Sequence, residues 1–143
     1  MKLFSTLAFA GALCALGLGA AAEAADLTVT VRQVRSTQGI IAISVFDSAQ
    51  TFLGYHREIV ARDVVANQGD MPIVFKGLPP GEYAVVAYHD ENNSGDIDTN
   101  FLGIPTEGFG FSNGAKAFLG PPEFKDAAVP VETTAETALD LSY

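Results

Sequence analysis

The chain is poor in cysteine, histidine and positive charge, and each shortage removes a class of chemistry. Its single cysteine, Cys14, lies in an apolar N-terminal stretch behind Leu13, not behind the Gly or Ala that would precede a lipidated cysteine. From residue 25 onward there is no cysteine. That part of the chain therefore has no disulfide, no thiolate metal ligand and no cysteine nucleophile. The two histidines, His56 and His89, make a poor zinc set without cysteine partners. His89 reads instead as a strand-end residue packing on the sheet. Eight Lys and Arg stand against seventeen Asp and Glu, a net charge of −9. Such a chain has no electrostatic route to phosphate backbones, which argues against nucleic-acid binding. No Gly-x-Ser-x-Gly elbow and no Gly-rich phosphate loop occurs. Heptads and internal repeats are missing too.

What is present begins with a leader. Met1 to Ala24 reads as a secretory signal peptide: Lys2 supplies the positive end, Leu3 to Ala22 is uncharged and rich in Leu and Ala, and Ala22-Glu23-Ala24 is a small-x-small cleavage pattern. A cut after Ala25 fits nearly as well. Beyond it, no apolar run approaches the roughly 20 residues of a membrane-spanning helix. The expected product is one domain over residues 25–143, exported and free of the membrane once cleaved. A small exported domain without disulfides suits a bacterial periplasm.

That domain reads as all-β. Leu27-Thr28-Val29-Thr30-Val31 alternates with period two, as a strand with one buried face does. Further runs are Ile40–Phe46, Ile59–Val65, Ile73–Phe75, Glu82–His89, Ala127–Val131 (with Pro130 suggesting an edge) and Thr137–Tyr143. The spacing predicts an antiparallel Greek-key sandwich of about seven strands, prealbumin- or immunoglobulin-like. One or two helical turns are expected over Ala49–Arg57. Leu78-Pro79-Pro80-Gly81-Glu82-Tyr83 reads as a tight turn followed by a tyrosine whose hydroxyl bonds nearby backbone.

The stretch from Asp90 to Phe124 breaks the strand pattern and is read as one long structured loop, its five Phe expected to anchor it to the core. It opens with the candidate chemistry. With Asp90 as position one, side-chain oxygens fall at one, three and five (Asp90, Asn92, Ser94). Gly95 stands at six, the Asp96 carbonyl at seven, Ile97 pointing inward at eight, and Asp98 at nine. Alternating oxygens before a sharp Gly turn converge on one point, the arrangement a hard cation needs. Position twelve is Phe101, where an EF-hand has its Glu, so Glu107, water or a second protomer would complete the shell. A metal-centred homodimer is one such completion. No Lys or Arg lies between Lys76 and Lys116, whereas six acids do. The expected ligands are Asp90, Asn92, Ser94, Asp96, Asp98 and Glu107, and the expected cofactor is Ca²⁺ or a lanthanide ion. The competing readings are a solvated turn on a structural or adhesion module, and a carbohydrate-acting enzyme using Asp98 and Glu107. Catalysis is not expected.

Three stretches together carry a resemblance: Leu78 to Tyr83; His89-Asp90-Glu91-Asn92 with Asp98 to Pro105; and Glu107 to Asn113 with Gly120 to Phe124. They resemble the bacterial exported proteins of domain-of-unknown-function family 2141. The resemblance implies a small β-sandwich without assigned activity. It also implies kinship with periplasmic lanthanide-binding proteins of the landiscernin type, whose hard, calcium-sized ions would suit the Asp90 loop. No ligand set is carried over from it.

Overall fold

The computed structural model describes residues 23–143. The leader Met1–Ala24 therefore lies, except for its last two residues, outside the described residues. Eight strands follow in the order β1 (Ala25–Val34), β2 (Ile40–Phe46), β3 (Val60–Val65), β4 (Gly69–Leu78), β5 (Gly81–Asp90), β6 (Phe109–Phe111), β7 (Ala128–Val131) and β8 (Thr134–Asp140). One short helix, α1 (Phe124–Ala127), precedes β7.

Two sheets face each other. The first has the order β4-β1-β8, and the second β3-β2-β5-β6, with β7 pairing beside β6 on the same edge of β5. Between them lies one apolar core. Leu27, Val29, Val31, Ile73 and Phe75 come from the first sheet, and Ile41, Ile43, Val45, Val85 and Ala87 from the second. The alternation is visible in β1, where Ala25, Leu27, Val29 and Val31 are buried and their neighbours are not. After Val31, Gln33 adopts φ 65° and the register shifts, a bulge that returns Val34 to the core face.

The all-β sandwich-like class agrees with the reading from sequence, and three details correct it. Eight strands stand among the described residues against the approximately seven expected: β6 hides inside the long loop because its three residues, Phe109-Gly110-Phe111, are too few to show a period. The sheet is not wholly antiparallel, since β8 runs parallel to β1 with Leu27 opposite Ala135 and Val31 opposite Leu139. Alternation reports which face is buried but carries no strand direction. The segment Ala49–Arg57 forms no helix. Phe52 donates its backbone N–H to the Ser48 carbonyl, but positive φ at Leu53 (58°) and His56 (52°) turns the chain before a second helical turn can close.

The corner between the sheets behaves as expected. Pro79 and Pro80 link β4 of one sheet to β5 of the other, and the buried Tyr83 donates its hydroxyl to the Pro79 carbonyl. A second buried contact was not legible. Along its outer edge β5 pairs with β7 over Gly81–Ala84 and with β6 over Val86–Tyr88. The Val85 N–H falls in the gap and is satisfied by the buried Ser112 hydroxyl at 2.8 Å, which itself donates to the Ala127 carbonyl at 2.6 Å. Ser112→Ala strands both groups and is expected to cost about 2–3 kcal/mol. Urea unfolding would show this as a lower midpoint at unchanged slope.

Candidate metal centre

β5 ends at Asp90, which pairs with Ile40 of β2. The Asp90 side chain is fully buried. Its Oδ1 accepts the Ser94 N–H at 2.9 Å and its Oδ2 the Gly95 N–H at 2.9 Å. Gly95 makes this turn possible with φ 88°. Glu107, 6% exposed, closes the far side of the same loop. Its Oε1 accepts the Glu91 N–H at 3.1 Å and its Oε2 the Asp98 N–H at 3.0 Å. Two carboxylates therefore brace the loop from inside, each by both oxygens.

Between those braces the side chains meet one another. The Asn92 amide donates to Asp98 Oδ2 at 2.6 Å, and the Ser94 hydroxyl lies 3.4 Å from Asp98 Oδ1. Ser94 also donates to the Asp96 carbonyl at 2.8 Å, and Asn92 Oδ1 accepts the Ser94 N–H at 3.0 Å. Of the six residues expected as ligands, Asn92, Ser94 and Asp98 converge side chain to side chain. Asp96 joins them by its carbonyl, whereas Asp90 and Glu107 face backbone N–H groups. No set of three Asp, Glu, His or Cys side chains forms a metal cluster among the described residues. The ion pairs among the described residues leave out Asp90, Asp96, Asp98 and Glu107. Ile97 does not point inward: it is partly exposed beside a surface groove.

The neighbouring Glu91 is the exception in being paired. Arg35 binds its carboxylate through two nitrogens, and Ser36 donates to it at 2.8 Å. The Arg35 hydrogen bond is the main cause that holds the Glu91 carboxyl down to about 2, against the opposing effect of burial. Arg35 also stacks on the Tyr143 ring at 4.2 Å. The Tyr143 hydroxyl lies 2.7 Å from Nδ1 of the fully buried His89, and His89 Nε2 lies 2.8 Å from the Gln38 carbonyl. A carbonyl only accepts, so Nε2 carries a proton, and in the neutral ring Nδ1 accepts from Tyr143. His56 is elsewhere, exposed beside Glu58. Since Glu91 titrates lower in the folded chain than unfolded, its pairing contributes fully above pH about 4.5 and fades as pH falls toward 2. Half-exposed Arg35 limits that contribution to about 1 kcal/mol. Acid unfolding of Glu91→Gln should accordingly show a shallower loss of stability through this window than the parent.

Neither the pairing of Arg35 with Glu91 nor the buttress at Gly39 was singled out from sequence. A Cβ on Gly39 would stand 1.8 Å from the Asp90 carbonyl oxygen, so the turn before β2 packs directly against the start of the loop. Gly108 and Gly110 serve a similar purpose, passing against the Tyr143 ring and the Asp140 carbonyl. These contacts span long stretches of chain and leave no local pattern. Two of the five loop Phe are also not anchors: Phe101 and Phe118 are 95% and 85% exposed, at loop tips.

No curated protein and no solved structure matches the chain. Residues 29–139, nearly the whole sandwich, match the family described as "Uncharacterized protein conserved in bacteria (DUF2141)", and the chain belongs to that family.

Proposed function

We propose that this is an exported, periplasmic, non-catalytic module that binds a hard cation, Ca²⁺ or a lanthanide, through the loop Asp90–Asp98, for metal carriage or a metal-stabilised interaction. Its strand order is read as a Greek-key sandwich of prealbumin or immunoglobulin type with one parallel pair. The observation that carries the metal reading is the convergence of Asn92 and Ser94 on the Asp98 carboxylate with no cationic side chain among the described residues paired to it. Each carboxylate oxygen of Asp90 and Glu107 accepts one N–H and keeps a second lone pair. Turning Asn92 and Asp98 from each other toward an ion would give a donor set of hard oxygens, with water or a second protomer supplying the rest of the roughly 6–8 that calcium takes. The leader's Lys2 and small-x-small pattern support export, and the resemblance of the sequence to lanthanide-binding proteins supports the ion's class.

A calorimetric titration of the metal-free protein with Ca²⁺ and then La³⁺ tests this. Saturable binding is expected, with the dissociation constant raised at least tenfold by Asp98→Asn. A doubled mass at saturating metal would add the metal-centred homodimer. Absence of heat with both ions favours the second reading, a structural or adhesion module. That reading draws on Asp90 and Glu107 being satisfied by backbone N–H groups alone. The same occupation of both Glu107 oxygens disfavours a glycosidase pair with Asp98, since an acid catalyst needs a proton free to give.

A further inference from the structure

We propose that the outer face of the five-stranded sheet is a binding groove for an apolar small molecule bearing one cationic group. The register of the sheet builds its floor. Ser44, Val86 and Phe111 stand in one row across β2, β5 and β6, and Ala42, Tyr88 and Phe109 in the next. All point away from the core between the sheets. In an ordinary sandwich such a face carries polar side chains toward water. Here it is apolar and aromatic, and chain segments around residues 53–58, 95–97, 103–105 and 117–121 wall it in. The groove, open on one side, has a volume of about 980 Å³, at the upper end of the roughly 300–1,000 Å³ of small-molecule sites. Large side chains stand exposed along the rim: Tyr55 is 82% exposed and Leu119 98%.

Two observations select the occupant. The first is charge. Glu58 and Asp96 line the groove, with His56 beside Glu58 at 3.8 Å, and no Lys or Arg among the described residues does. A cation there is attracted both by these carboxylates and by the faces of Tyr55, Tyr88 and Phe109. The second is the kind of surface. The floor offers side chains, because the N–H and C=O groups of β5 are engaged with β2 on one side and with β6 and β7 on the other. An extended peptide laid there would find no ladder to pair its own backbone, whereas a compact apolar molecule needs none.

The test uses the purified protein in chelator, so that cations on the neighbouring loop do not mask Asp96, with diphenylhexatriene in its trimethylammonium, uncharged and propionate forms as fluorescent probes. The trimethylammonium form is expected to bind saturably at one site, at least tenfold more tightly than the propionate. Glu58→Gln combined with Asp96→Asn should shrink that ratio below threefold while leaving the uncharged probe's affinity within twofold. Ser44→Arg, in the floor, should weaken the cationic probe at least tenfold. Leu119→Arg, fully exposed at the rim, repeats that arm in a position whose change cannot unfold the sheet. Equal affinity for all three probes, non-saturating uptake, or indifference to both arginine variants would overturn the proposal. So would a dimer that Leu119→Arg converts to monomer without any probe having bound, which would make the face a contact between copies.

Discussion

Replacing Gly39 by alanine is expected to destabilise the protein by about 3–5 kcal/mol and to lower its melting temperature by on the order of 10–20 °C. Two effects add. Gly39 has φ 68°, a conformation that alanine adopts only with strain. The larger effect is steric. The new Cβ would stand 1.8 Å from the Asp90 carbonyl oxygen and 2.7 Å from the Glu91 Cα. Both neighbours are backbone, so no rotamer change relieves the contact. Nor can the strands slide apart, because Ile40 and Asp90 are paired in the ladder one residue away. The chain must open the end of the β2–β5 pair, and the start of the acidic loop moves with it. Circular dichroism melts would give the size of the loss. Amide exchange at Ser94 and Gly95, whose N–H groups depend on Asp90, would show that the damage is transmitted to the loop. A variant that melts like the parent would mean the turn has slack that its geometry denies.

Gly39 also illustrates what sequence could and could not reveal. Sequence alone places it only just before the run Ile40–Phe46. Its role depends on Asp90, about fifty residues further along, and only the folded ladder brings the two together. The same limit hid β6 and the direction of β8. Strands with one buried face are legible within a few residues, since burial imposes the pattern locally: β2 spans Ile40–Phe46, the same bounds as its run in the sequence, and β5 extends one residue beyond its run at each end. The tyrosine corner was legible because Pro79, Pro80 and Tyr83 are neighbours in sequence. At the acidic loop the spacing of Asp90, Asn92, Ser94 and Gly95 correctly announced a sharp turn with oxygens gathered inside it. It did not announce that the two deepest carboxylates, Asp90 and Glu107, are engaged by N–H groups of the loop itself. An Asp that caps its own turn and an Asp that awaits an ion have the same sequence signature, because both need a carboxylate just before a reversal of the chain.

Those two roles separate in a pair of substitutions, and the separation is the second large effect expected. Asp90→Asn replaces one carboxylate oxygen by an amide NH₂ in a fully buried site. Either Ser94 or Gly95 then presents its N–H to a donor, and a charge-assisted bond is lost in the other. The metal-free protein should lose about 2–4 kcal/mol. Asp98→Asn is different. Its carboxylate lies nearer the surface and binds only the Asn92 amide and the Ser94 hydroxyl, both of which water can replace. Its metal-free stability should stay within about 0.5 kcal/mol of the parent. In the presence of metal the order of information reverses. A ligand that binds only the folded state adds stability in proportion to the logarithm of its concentration over its dissociation constant, about 2.7 kcal/mol at a hundredfold excess. The parent should gain that increment with Ca²⁺ or La³⁺, and Asp98→Asn should lose most of it. A melt series of both variants with and without metal therefore reads the brace in the metal-free loss at Asp90 and the ligand in the metal increment lost at Asp98. If Asp90→Asn is destabilised while no variant, nor the parent, responds to either ion, the loop is a self-capped turn. If Asp98→Asn alone abolishes a response that the parent shows, the convergence of Asn92, Ser94 and Asp98 is a coordination site held in shape by Asp90 and Glu107.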